Sequence, residues 1–222
     1  MVQTGDLSPA VWLTERQSGQ GEFMTVAGAT AVGFAAYARV LHPAHLDERP
    51  VRWEAVGAAY GRRPGGAVRW HELIGVTRDE SYGDVSLPGV WDEEPGEGPT
   101  PPDVARALVP VLARHTGTPE RCWYALWEGY GRWEWYAVPR FETPHRGRVL
   151  MAGPLADADS PTSLDPYAEL PDLWWPEDRA WCLGGDVDLR STYVAGSEAL
   201  ITDLLADPSL EAHRVSPTDP LD

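Results

Sequence analysis

The stretch from Trp174 to Asp188 gathers the residue types best suited to chemistry. Two adjacent tryptophans, Trp174 and Trp175, precede Asp178 and Arg179, and Asp186 and Asp188 follow. Aromatic faces beside carboxylates suit an organic cation or a sugar. The structural alternative is that the tryptophans plug one end of the core, since Trp carries a large apolar surface. Read as a strand, Asp186–Leu189 turns both of its carboxylates to one face, with Ser191, Thr192 and Tyr193 just beyond. Such a pair can hold Mg²⁺ or Ca²⁺, or divide acid and base roles. Hard cations take about six to eight oxygens, more than this stretch supplies. No metal site is therefore assigned, and an exposed strand end with an Asp/Ser turn is the plainer reading.

Arg39 is the candidate from the other end of the chain. Strand alternation puts it on one face with Tyr37 and Leu41. A buried Arg needs a carboxylate, and Asp178 or Asp186 can serve. That makes Arg39 either an anion clamp or half of an ion pair joining the two ends of the sequence. The histidines carry less. His42 and His45 form H-x-x-H, while Cys122 and Cys182 lack the CxxC partner that a zinc site uses. G-x-S-x-G, GxGxxG and the P-loop are absent. No catalytic residue and no cofactor can be named.

These residues need a frame. Phe23–Ala27 and Phe34–Leu41 read as strands, the second by clear alternation and ended by His42-Pro43. Val51–Tyr60 has helical spacing and stops at Gly61. Residues 61–102 read as long and irregular, with Trp70–Val76 a short helix or strand and the run after Asp92 exposed. A helix follows Pro102, with Val104, Leu108, Val111 and Leu112 on one face, and Pro110 is expected to kink or split it. Cys122–Trp127, Trp133–Val138 and Arg148–Ala152 predict an antiparallel meander. Ala180–Leu183 begins a strand that Asp186–Leu189 continues. Ser197 caps a last helix over Glu198–Ala206. The fold class is α+β: a mainly antiparallel sheet packed on a few helices, one domain over 1–222. Residues 1–21 read as a loose lead-in or an edge element, 90–102 and 157–172 as exposed loops, and 214–222 as a tail.

Composition bounds the function. The chain has 222 residues, 11 of them Trp, and a net charge of −16. That surface repels phosphate backbones, which argues against direct nucleic-acid binding and allows a basic protein partner. All 18 basic residues are Arg, as a high-GC genome would produce, so an individual Arg is a weak site marker. No apolar run reaches the ~18 residues of a membrane span. The start lacks a signal peptide, and the two cysteines lie in apolar context, so a cytoplasmic, reduced protein is expected.

Tyr37-Ala38-Arg39-Val40-Leu41-His42-Pro43-Ala44 and Leu173–Trp181, continuing through Asp186–Val194, resemble an uncharacterised family of high-GC bacterial proteins. That resemblance implies no established activity. The closing pattern of strand, Ser191-Thr192-Tyr193-Val194, and helix is similar to small immunity-type proteins of bacterial toxin systems, which implies a protein partner. Two readings follow. One is a non-enzymatic, acidic binding or regulatory protein, immunity-type, whose Asp92–Glu97 and Asp157–Asp172 segments meet a basic partner. The other is a small-molecule-binding protein or enzyme using Arg39, Trp174, Trp175, Asp178, Arg179, Asp186, Asp188 and Tyr193.

Overall fold

The computed structural model describes residues 1–17, 24–130, 139–143, 146–160 and 170–221. The strands are β1 (Val2–Gln3), β2 (Ala36–Leu41), β3 (Ala44–Leu46), β4 (Arg49–Val51), β5 (Cys122–Trp127), β6 (Arg140–Thr143), β7 (Arg146–Gly153), β8 (Leu173–Pro176), β9 (Cys182–Gly184), β10 (Ser191–Gly196) and β11 (Ala212–Val215). The helices are α1 (Val11–Gln17), α2 (Val26–Ala29), α3 (Trp53–Ala59), α4 (Trp70–Ile74), α5 (Pro102–Arg114) and α6 (Glu198–Ala206). One sheet runs β1-β7-β5-β8-β9-β10-β2-β11, with β6 also on β7, and β3 and β4 form a separate ribbon. Its strand pairings are antiparallel. The chain is an α+β protein.

The sheet is covered on both faces, which explains why its central strands read as apolar runs. On one face α5 and α6 pack on Ala38, Val40, Tyr124, Trp174, Leu183 and Val194. On the other, Trp175, Ala125, Leu150 and Cys182 meet Trp12 and Leu13 of α1. Successive strand residues point to opposite faces, so neighbouring Trp174 and Trp175 enter different cores. Each of the α5 residues Val104, Leu108, Val111 and Leu112 is buried and contributes about 1.5–3 kcal/mol of transfer free energy.

Several expectations are corrected. The strand at Phe23–Ala27 gives way to α2, because the Thr25 hydroxyl caps it by accepting the Gly28 N–H at 3.3 Å; Phe23 itself lies outside the described residues. Of the two readings for 1–21 the loose lead-in gives way to the edge element: β1 pairs with β7 at the sheet edge, and Ala10, Trp12 and Leu13 are buried. Residues 61–102 are anchored by two indoles. Trp70 and Trp91 are buried edge to face at 5.1 Å, in a satellite core with α3 and α4. Pro95 and Gly98–Thr100 are buried too, so 90–102 is not an exposed loop. Likewise 214–221 is no free tail, since Val215 and Leu221 are buried. Pro110 leaves α5 unbroken because it sits on the solvent side, where the carbonyl it cannot bond meets water. Asp186–Leu189 is a turn: the Leu189 N–H donates to the Asp186 carbonyl at 3.1 Å. In the loop expected over 157–172, Ala158 and residues 170–172 are buried. The strand expected at Trp133–Val138, and 161–169 of that loop, lie outside the described residues. Among the described residues no helix is long and apolar enough to cross a membrane.

Candidate functional site

The eight candidate residues fall in separate places. Trp174 is buried and donates its indole N–H to the Pro171 carbonyl at 2.8 Å. Trp175 is buried with Trp12 and Phe141 set edge-on at 6.0 and 6.5 Å. Asp178 ties a surface turn, accepting the Thr116 hydroxyl at 2.8 Å and the Gly117 N–H at 2.7 Å. Arg179 is exposed and lies over the Trp12 ring at 5.7 Å. Trp175 and Arg179 border a shallow cleft of about 160 Å³ with Trp123 and Glu177.

Arg39 and Tyr193 face each other across the β2–β10 pairing, both buried. The Arg39 guanidinium donates to Ser191 Oγ at 2.8 Å and to the Gly66 and Val68 carbonyls at 3.2 and 2.6 Å. It also lies 5.3 Å from the Trp53 ring centroid. Those contacts bind the segment before α4 to the sheet. The carboxylates proposed for Arg39 are engaged elsewhere, Asp178 by Thr116 and Asp186 by Arg146.

Asp186 and Asp188 do meet, at a cavity of about 280 Å³ on the α1–α2 side of the sheet. Because 186–189 is a turn, they converge through Arg146 and not through strand alternation. Arg146 Nη2 lies 2.6 Å from Asp186 Oδ1 and 3.8 Å from Asp188 Oδ2. Its guanidinium also stacks 4.1 Å from the Trp127 ring centroid. Five arginines line this cavity: Arg69, Arg78, Arg146, Arg148 and Arg190. Arg146 and Arg148 stand two apart on β7 and so share a face. Arg69 precedes α4, where its N–H donates to the Glu72 carboxylate at 2.9 Å. Arg190 precedes β10. Thr143, at the end of β6, accepts from Arg148 Nε at 3.1 Å.

Carboxylates hold most of these cations in place. Arg148 Nη1 reaches Asp172 at 2.7 Å, and Asp172 also accepts the Tyr130 hydroxyl and the Trp127 N–H at 2.7 Å each. Arg190 pairs with Glu94 at 2.9 Å and Glu97 at 3.3 Å, and donates to the Pro95 carbonyl at 3.2 Å. Burial pushes Glu97 above the ordinary glutamate range, against the downward pull of Arg190. Burial pulls His71, another lining residue, below the usual histidine range, so it is neutral at neutral pH. The apolar wall is Met24, Ala29, Leu189, Leu221 and the Trp70 ring.

Sequence reasoning missed the arginines. Arg146-Gly147-Arg148 was the available signal, two like charges at strand spacing, but all-Arg usage had lowered the weight of each one. Among the described residues no group of three or more His, Cys, Asp or Glu is placed to hold a metal ion. Compared with known proteins, the chain matches no family model, no curated protein and no solved structure.

Proposed function

We propose that this chain is a non-enzymatic binding protein for a small organic anion, held in the arginine-lined cavity. The observation that carries the reading is the convergence of five arginines on one cavity in a chain of net charge −16. Guanidinium forks match carboxylate and phosphate groups, and carboxylate partners buttress three of these arginines in fixed orientations. A thermal-shift panel of inorganic phosphate, benzoate and 3-phenylpropanoate tests it. A ligand at a hundred times its Kd adds about 2.7 kcal/mol, or roughly 5–10 °C for a chain of this size. No shift with any of the three counts against the reading.

A second reading, compatible with the first, is the immunity-type or regulatory protein with a basic partner. It draws on the exposed carboxylates Asp79, Glu80, Asp84, Asp92 and Glu93, which lie on one stretch of chain. Glu94 and Glu97 turn inward to Arg190, so that earlier stretch is a better contact than the Asp92–Glu97 run as a whole. Charge reversal at Asp79, Glu80 and Asp84 should slow capture by a basic protein at low salt. With Cys122 and Cys182 both free and buried, we assign the chain to the reducing cytoplasm.

A further inference from the structure

Charge bookkeeping around the cavity narrows the ligand. Arg146 is matched by Asp186 and Asp188, Arg148 by Asp172, and Arg190 by Glu94 and Glu97. Arg69 differs. Its Nη2 donates to the Leu221 carbonyl at 3.2 Å, and among the described residues it makes no ion pair. Among the described residues the Arg69 side chain thus has only a neutral partner, which leaves its charge available to a ligand carboxylate. On the acidic side Asp188 is the loosest member. Its side chain is 78 % exposed and its nearest cation, Arg146, is 3.8 Å away. Arg146 is already satisfied by Asp186 at 2.6 Å, so Asp188 retains acceptor capacity toward a ligand. The rest of the cavity is walled by Met24, Ala29, Trp70 and Leu221.

We infer that the ligand is a small zwitterion with an apolar body, an α-amino acid of leucine or phenylalanine size. Its carboxylate sits on Arg69, its ammonium on Asp188, and its side chain against the apolar wall. The inference rests on the proposed anion-binding role of the cavity and adds the cationic end and the apolar body. The volume suits only a small ligand: about 280 Å³ is just below the range of about 300 to 1,000 Å³ of drug-sized ligand sites. Asp188 is largely exposed, so its pairing with the ammonium contributes about twofold to fivefold in affinity, less than the carboxylate's bond to half-buried Arg69. Discarding either end of the molecule should therefore weaken binding.

Calorimetric titration of the full chain with L-phenylalanine, L-leucine, 3-phenylpropanoate and 2-phenylethylamine tests this. The expected result is that both amino acids bind, with L-phenylalanine about twofold to fivefold tighter than 3-phenylpropanoate and about tenfold or more tighter than 2-phenylethylamine. Asp188→Asn, at an exposed position, should weaken L-phenylalanine about twofold to fivefold and leave 3-phenylpropanoate unchanged or tighter. If 3-phenylpropanoate binds wild type as tightly as L-phenylalanine, the zwitterion inference falls while the anion reading stands. If Asp188→Asn weakens both equally, the assignment of the ammonium to Asp188 falls. If 2-phenylethylamine alone binds, or nothing binds, the anion reading falls with it.

Discussion

Arg148 Nη1 lies 2.7 Å from Asp172 Oδ2, with 7 % and 2 % of the two side chains exposed. The pair links β7 to the start of β8, and its guanidinium forms part of the cavity wall. Removing one partner leaves a buried charge without compensation. Asp172→Ala is expected to cost about 3–5 kcal/mol, and pairing it with Arg148→Met should recover most of that loss. Denaturant unfolding of the single and double variants measures the coupling. Additive losses would deny that the pair acts as a unit.

The indole of Trp91 is expected to behave as core. It is 1 % exposed and packs edge-on against Trp70, which packs likewise on Trp53. Trp91→Ala should cost about 3–5 kcal/mol. A loss below about 0.5 kcal/mol, the usual size of a surface effect, would restore the reading of 90–102 as a loose loop.

Pro110 is a removable burden on α5. It lies inside the helix on an exposed position and forgoes one hydrogen bond. Pro110→Ala should stabilise the chain by about 1–3 kcal/mol, read as a rise in denaturation midpoint. A fall would mean that the proline shapes the helix.

His213 supplies a pH dependence. It is partly buried on β11 opposite Arg39, and its Nε2 finds no hydrogen-bond partner among the described residues. Burial, then Arg39 and Arg52, hold its pKa below the ordinary 6.5, against a smaller upward pull from Glu54. A histidine with a depressed folded pKa contributes stability above its unfolded pKa. That stability is lost as pH falls from about 6.5 through the folded value, because the unfolded chain binds the proton first. Melting temperature should therefore decline on acidification, and His213→Gln should flatten part of that decline. His71, depressed in the same direction, accounts for a share that remains. Parallel wild-type and variant curves would refute the assignment.

The fold was legible where local periodicity and core burial agree. Tyr37–Leu41 alternates, Val104–Leu112 keeps a helical stripe, and Ser197 caps α6, so strand, helix and helix were all foreseen. Expectation failed where a distant contact decides. Nothing local to Trp91 announces that Trp70 will stack on it, and α2 depends on a single capping hydroxyl. The site was less legible. Asp186 and Asp188 were picked out for a strand geometry that does not exist, and they meet through Arg146, 40 residues earlier in the chain than Asp186. For Trp174 and Trp175 the sequence leaves a pocket and a core plug both open, because spacing does not show which face is covered, and they are core. Arg69, Arg148 and Arg190 come from three remote segments, and only the folded chain brings them together.

The most direct test of the account is calorimetric titration of 3-phenylpropanoate into wild type and Arg69→Gln. The Arg69 side chain is partly exposed and bonded only to a carbonyl among the described residues, so the variant should melt within a few °C of wild type. The account predicts saturable one-site binding to wild type, weakened about tenfold to a hundredfold in the variant. Equal affinity in the two proteins would contradict it.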